Sequence, residues 1–330
     1  MDPALLPRVL PHHAHRVPEP YYRILRTPDY HWWRCGLGMV AAVFGVVVVA
    51  PLVTAPILVV PALAQGLDPL HYLRQLANGS IVTPVVLAYI NVTLALLIPL
   101  CWLIVRYVHY LRPRWLSSVR PGMRWGLLGR CAAIALALSV VELGVVAALL
   151  PAGSEPVASP VPVSERLLAL AIVVVTTPLQ SAGEEYFFRG YLGQAIGALV
   201  RTPFVPILVT SVLFAAAHGS QDVPLFCDRL AFGLVAGWLV WRTGGLEAGI
   251  AMHAVNNLLA LGIAISAGQL SDTLVVTGTS WLIALIDIAL LVAFAAVVAW
   301  SFRRAGVRSR TPAPPPVDPP AAYPLAGSRR

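Results

Sequence analysis

Long apolar runs separated by short polar connections recur near residues 37–64, 83–105, 128–150, 167–199, 203–219, 225–241, 246–267 and 280–302. A helix needs about 20 predominantly apolar residues to cross the hydrocarbon core of a bilayer. The pattern therefore predicts an all-α, polytopic membrane protein with about eight transmembrane helices. The run at 167–199 is longer than one span requires and is interrupted by Thr176, Thr177 and Pro178, which predicts a kinked helix or two helical pieces. The runs at 203–219 and 225–241 are short, as expected of tilted or partly re-entrant helices.

Composition sharpens this picture. Of 330 residues, 58% are hydrophobic and 12% are charged, about half the charge of an ordinary globular domain. Such a chain cannot hide its apolar surface in a soluble core of this size, so a soluble enzyme is excluded. All 23 basic residues are arginine, and chemistry that needs a lysine nucleophile is excluded with it. Cys35, Cys101, Cys131 and Cys227 are widely separated and form no C-x-x-C pair, which argues against a zinc ribbon or a disulfide framework. No cleavable secretory signal is expected, because the first apolar run is far too long for one.

The arginines set an orientation. Arg8, Arg16, Arg23, Arg26 and Arg34 precede the first run, and Arg106, Arg112, Arg114, Arg120 and Arg124 fill the connection after the second. The alternate connections hold only Arg74 and Arg166, whereas Arg201, Arg242 and the tail from Arg303 fall on the basic side. Basic connections face the cytoplasm, so a multi-pass protein of the cell membrane with both termini cytoplasmic is expected. The formal charge of +8 then reflects topology, and no nucleic-acid partner is expected.

An ionisable side chain inside a bilayer costs at least about 2.5–3.5 kcal/mol and calls for a partner or a function. The densest cluster is Glu184-Glu185-Tyr186-Phe187-Phe188-Arg189. On a helix Glu185 and Arg189 can pair, while Glu184 points about 100° away and needs another partner. Further along, His218 ends the small-residue stretch after Phe214, and His253 and Asn257 share one helix face. Each feature alone also fits a bland reading: an interfacial ion pair, a satisfied core histidine, a polar contact between helices.

Together and in this order, Glu-Glu-x-x-x-Arg, Phe-x-x-x-His and His-x-x-x-Asn resemble the CAAX-protease and bacteriocin-processing family of intramembrane proteases. This group is also called the Abi family and includes the type II CAAX prenyl endopeptidases. The resemblance covers roughly residues 165–265. It implies peptide-bond hydrolysis in which Glu184 and His218 polarise the attacking water, His253 and Asn257 stabilise the oxyanion, and Arg189 holds Glu185. It also leaves open a zinc site of Glu184, His218 and His253, since two histidines and a carboxylate suit catalytic zinc. A metal-free reaction is preferred because no H-E-x-x-H pair supplies two ligands from one helix. The substrate implied is a peptide or protein reached from the lipid bilayer, such as a lipidated C-terminus or a leader peptide.

On this reading the chain divides into a cytoplasmic segment 1–34, three helices within 35–160, a protease-like core 161–270, a last helix within 271–302 and a disordered Pro/Arg-rich tail 303–330. Two other functions use the same residue types: a transporter, and a catalytically silent scaffold or immunity protein of the same fold. Asp228 beside Arg229 reads as a cap or ion pair at a helix start. Glu142 and Asp287 either line a common cavity or bond neighbouring helices. Gly193/Gly197 and Gly233/Gly237 have the spacing that lets helices approach closely. The arginine pattern directs Glu184 and His253 toward the cytoplasmic side, yet sends the run that ends in His218 outward, although the chemistry requires all three to converge.

Overall fold

The computed structural model of the protein describes residues 15–68, 70, 74, 83–149, 161–268 and 276–313. Among them the fold is helical, with extended pairing limited to isolated bridges between Pro20 and Arg310 and between Ser118 and Gly245. Seven helices are long and apolar enough to cross a membrane: α1 (Trp32–Ala64), α2 (Pro84–Tyr107), α3 (Trp125–Leu149), α4 (Val163–Leu199), α6 (Val223–Thr243), α7 (Glu247–Ser266) and α8 (Trp281–Arg304). Between α4 and α6 lies α5 (Phe204–Ala216), of 13 residues.

α5 occupies the run 203–219, one of those expected to be tilted or partly re-entrant. At about 1.5 Å per residue it reaches about 20 Å, short of the roughly 30 Å hydrocarbon core. It ends near Ala217, and the chain turns at Gly219, whose φ of 77° is the left-handed region that glycine adopts freely. Asp222 then caps α6 by accepting from the Leu225 amide at 2.9 Å. His218 is therefore not carried to the far surface.

The expected break in the fourth run also falls elsewhere. α4 passes through Pro178 as regular helix up to Glu185 and widens into a π-helical turn over Tyr186–Leu192. Thr176 and Thr177 serve packing: the Asn91 amide of α2 donates to their hydroxyls at 2.8 and 3.0 Å. Gly183 lets the two backbones meet, since a Cβ there would lie 2.0 Å from the Leu94 carbonyl.

α4 packs against α2 and α7, α7 also against α3, and α6 against α5 and α8. Gly233 and Gly237 meet α5 at Ser211 and Ile207, the helix approach that their spacing suggests. Gly193 and Gly197 make room instead for Tyr22, from a short 3-10 helix, Tyr21–Arg23, that precedes α1. Both tyrosines are buried, and their hydroxyls donate to the carbonyls of Leu116 and, at 2.9 Å, Gly237. The first residues beyond α8 also dock: the Thr311 amide donates to the Glu19 carbonyl at 2.9 Å. Residues 314–330, the bulk of the proline-rich tail, lie outside the described residues. Large apolar side chains on the outer faces, such as Val40, Val140, Val175 and Leu285, remain exposed, as a lipid-facing surface requires.

Candidate active site

Glu184 and Glu185 sit where α4 passes from regular to π-helical winding, a local geometry that recurs at functional sites. Successive helical residues point about 100° apart, and here that rotation gives the two carboxylates different surroundings. Glu185 is fully buried and accepts from Arg189 Nη1 at 2.8 Å, the i,i+4 pair read from the sequence. Glu184 lies at the edge, with 12% of its side chain exposed.

Arg189 is itself fully buried. Its Nε and Nη2 have no hydrogen-bond partner among the described residues. Its guanidinium lies 4.3 Å from the centre of the Phe214 ring instead, with Phe188 and Phe232 at 6.0 Å. Three aromatic rings thus provide the cation–π surroundings of a desolvated arginine.

His253 of α7 completes the cluster. Its Nδ1 is 3.1 Å from Glu185 Oε1 and its Nε2 is 3.2 Å from Glu184 Oε2, so one imidazole bridges both carboxylates. A ring can donate to two acceptors at once only as imidazolium, and a neutral ring there requires a proton on one carboxyl. With Glu184, Glu185, Arg189 and His253 all ionised, the cluster is neutral. α7 can approach this closely because it carries Gly249, where a Cβ would stand 2.6 Å from Glu185 Oε2.

His218 reaches the same region from the end of α5. Its Nδ1 is 2.8 Å from the Phe214 carbonyl, which can only accept, so Nδ1 donates and Nε2 is left as the acceptor. The Phe214 ring lies 4.8 Å from the His218 ring and 5.7 Å from that of His253, joining the two imidazoles through one aromatic side chain. His218 is also near enough to Glu184 and His253 to interact with them electrostatically. Asn257, one turn beyond His253, donates to Gln180 Oε1 at 3.2 Å, and Gln180 lies one turn before Glu184. Glu184, Glu185, Arg189 and His253 are thus directly bonded, while His218 and Asn257 flank them.

Several participants escaped the sequence reading. Gln180 holds Asn257, Phe232 stacks edge-on at 5.0 Å from the His253 ring, and Gly249 provides clearance. Below the cluster, the buried Glu247 accepts from Arg124 Nε at 2.8 Å and Nη2 at 2.7 Å, anchoring the start of α7 to the connection before α3. Asp228 is not paired with Arg229 as expected: Arg229 donates to Gln221 Oε1 at 2.7 Å. Asp228, Glu142, Asp287 and Asn256 instead line one cavity of about 280 Å³, whose wall includes the Phe232 that stacks on His253.

The proposed zinc ligands are not disposed as a donor set. No group of three His, Cys, Asp or Glu among the described residues is placed to hold a metal ion. His253 has both nitrogens on carboxylates, and Nδ1 of His218 is on a carbonyl.

Residues 164–259, the stretch that contains all of these motif residues, match the family described as type II CAAX prenyl endopeptidase Rce1-like. Over 98 residues the chain is 36% identical to the uncharacterized protein YyaK of Bacillus subtilis (strain 168), covering 28% of this chain and 32% of that relative. The chain thus spans about a third of the curated relative it matches. No solved structure matches the chain.

Proposed function

We propose that the protein is an intramembrane endopeptidase in which Glu184 activates the water that attacks the peptide bond. The observation that carries this reading is the asymmetry of the paired carboxylates. Glu185 is fully buried with its Oε1 shared by Arg189 and Nδ1 of His253, whereas Glu184 keeps partial access and a hydrogen-bonded imidazole. A base must reach its water and must pass on or share the proton it receives.

In this mechanism water sits between Glu184 and Nε2 of His218, whose tautomer leaves that nitrogen free to accept. Glu184 takes the proton as the hydroxide adds to the carbonyl carbon, and His253, held by Glu185, keeps the carboxylate aimed. The proton then moves to the leaving amine, as microscopic reversibility of general acid–base catalysis allows. The amide of Asn257 has a second N–H beyond the one given to Gln180, and this donates to the developing oxyanion. His253 Nε2 is directed at Glu184 rather than at substrate, so its part is to position the base, in place of the oxyanion role that the family resemblance implies.

The substrate is a peptide presented from the membrane: a lipidated C-terminus, a leader peptide or a bacteriocin precursor. The residues that carry the chemistry fall in the 161–270 segment proposed as the protease-like core, with both termini on the cytoplasmic side. The test is cleavage of a peptide library by the purified full chain, with and without chelator, beside Glu184→Gln. Wild-type cleavage that the variant loses supports the reading. A folded wild type that cleaves nothing, while YyaK cleaves under the same conditions, would favour a silent scaffold.

A further inference from the structure

Away from the carboxylate cluster, on the side of the membrane that the arginines mark, a recess of about 400 Å³ opens between the start of α3 and the turn after α8. Arg120, Arg124, Trp125 and Gly126 form one wall, and Gly306 and Arg308 stand on the other. Arg124 is already committed, with Nε and Nη2 on Glu247 and Nη1 on the Thr243 carbonyl. Arg120 and Arg308 are exposed and form no ion pair among the described residues. Two exposed arginines from distant parts of the chain, neither in an ion pair among these residues, therefore border one hollow.

The backbone adds to this charge. α3 is 25 residues long; the Leu127 and Leu128 amides donate to the Arg124 carbonyl, while those of Trp125 and Gly126 precede any acceptor within the helix. The positive end of its dipole opens into the recess. Gly126 has nothing within 4 Å of where a Cβ would lie, so a ligand can approach that backbone closely.

The position points to one source for the anion. Trp125 is 74% exposed at the start of α3, and Trp300 is exposed near the end of α8 with the Arg304 guanidinium 4.4 Å from its ring. Tryptophan and arginine so placed mark the headgroup level of a bilayer. Further along the same helices, Leu136, Val140 and Val297 are exposed apolar side chains on which an acyl chain can lie. We infer that the recess is a binding site for the phosphate of an anionic phospholipid, with Arg120 and Arg308 on the phosphate and the chains along α3 and α8.

The test is phospholipid retained by the full chain after extraction from bilayers of mixed phosphatidylglycerol and phosphatidylcholine, read by native mass spectrometry, with melting temperature measured in parallel. Wild type should retain phosphatidylglycerol preferentially. The paired variant Arg120→Gln/Arg308→Gln should weaken that retention about 30-fold, the loss expected for two interfacial arginines. Gly126→Glu provides a variant that folding cannot explain away, because an acidic residue in the first helical turn favours the helix. It should lose the lipid while its melting temperature in phosphatidylcholine stays level or rises. Equal retention of the two lipids by wild type, or undiminished phosphatidylglycerol on the variants, would overturn the site. Stabilisation by inorganic phosphate equal to that by phosphatidylglycerol would overturn the lipid assignment.

Discussion

His253 Nε2 lies 3.2 Å from Glu184 Oε2 across the α4–α7 interface, while the opposite nitrogen of the same ring is fixed on Glu185. The second carboxylate, through its own pair with Arg189, thus determines where the imidazole points, and the imidazole determines where Glu184 points. This chain of three contacts gives each motif residue a separate kind of failure.

Glu184→Gln keeps the size of the side chain and can still accept from His253, but it removes the base. The variant should fold normally, because the position is at the edge of the cluster. Peptide cleavage should fall by at least about 10²-fold, the low end for loss of general-base catalysis. Full cleavage by Glu184→Gln in detergent would remove Glu184 from the chemistry.

Arg189→Ala should damage folding. It leaves Glu185 buried and unpaired on that side and empties the space between the rings of Phe188, Phe214 and Phe232. Breaking a buried pair costs about 3–5 kcal/mol. Poor membrane yield or a strongly lowered melting temperature is the expected result. A variant as stable as wild type would show that the pair contributes no structural support.

Much of this was legible in the chain because it is local. Glu185 and Arg189 pair across one helical turn, and His253 and Asn257 share a face, so spacing alone places them. What spacing cannot give is the distance between helices. Which carboxylate each nitrogen of His253 meets depends on Gly249 letting α7 close on α4, and Gly249 carries no chemical signal. The length of α5 was hidden because the small apolar run Ala215-Ala216-Ala217 continues through the end of the helix at Ala216 with no polar signal to mark it. Tyr21 and Tyr22 stand beside arginines in a polar segment, and nothing local shows that Tyr22 docks against Gly193, Gly197 and Gly237. Asp228 was misread for a related reason: adjacency to Arg229 in sequence says nothing about the cavity formed by α3, α6, α7 and α8.

Stability should depend on pH through His109, which lies beyond the end of α2 with its Nε2 3.2 Å from the Tyr191 hydroxyl. Burial, aided by the nearby Arg34 charge, pushes its pKa down to about 4. The folded state then binds fewer protons than the unfolded state below the ordinary histidine value of about 6.5, so stability is full above that value and falls as pH drops toward 4. The loss from this residue is roughly 3 kcal/mol between pH 7 and pH 4. His15, lowered by burial in the same direction, adds to it. Melting temperature against pH should slope in this window and flatten in His109→Gln. An unchanged slope in the variant would assign the effect to other groups.

Gly249→Ala tests the clearance that brings α7 to α4, and Gly262→Ala on the same helix serves as its control. In a helix interior alanine is favoured over glycine by up to about 1 kcal/mol. At Gly262 nothing lies within 4 Å of the added methyl, so that substitution should raise the melting temperature. At Gly249 the methyl would stand 2.6 Å from Glu185 Oε2. That carboxylate cannot swing aside without losing Arg189 or His253, each bonded to its other oxygen. Overpacking of this kind costs about 1–3 kcal/mol, more than the helix preference returns, so Gly249→Ala should lower the melting temperature. Activity should fall with it, because any retreat of α7 lengthens the contact between His253 and Glu184. If both alanines raise the melting temperature alike, the clearance at Gly249 does not set the approach of the two helices.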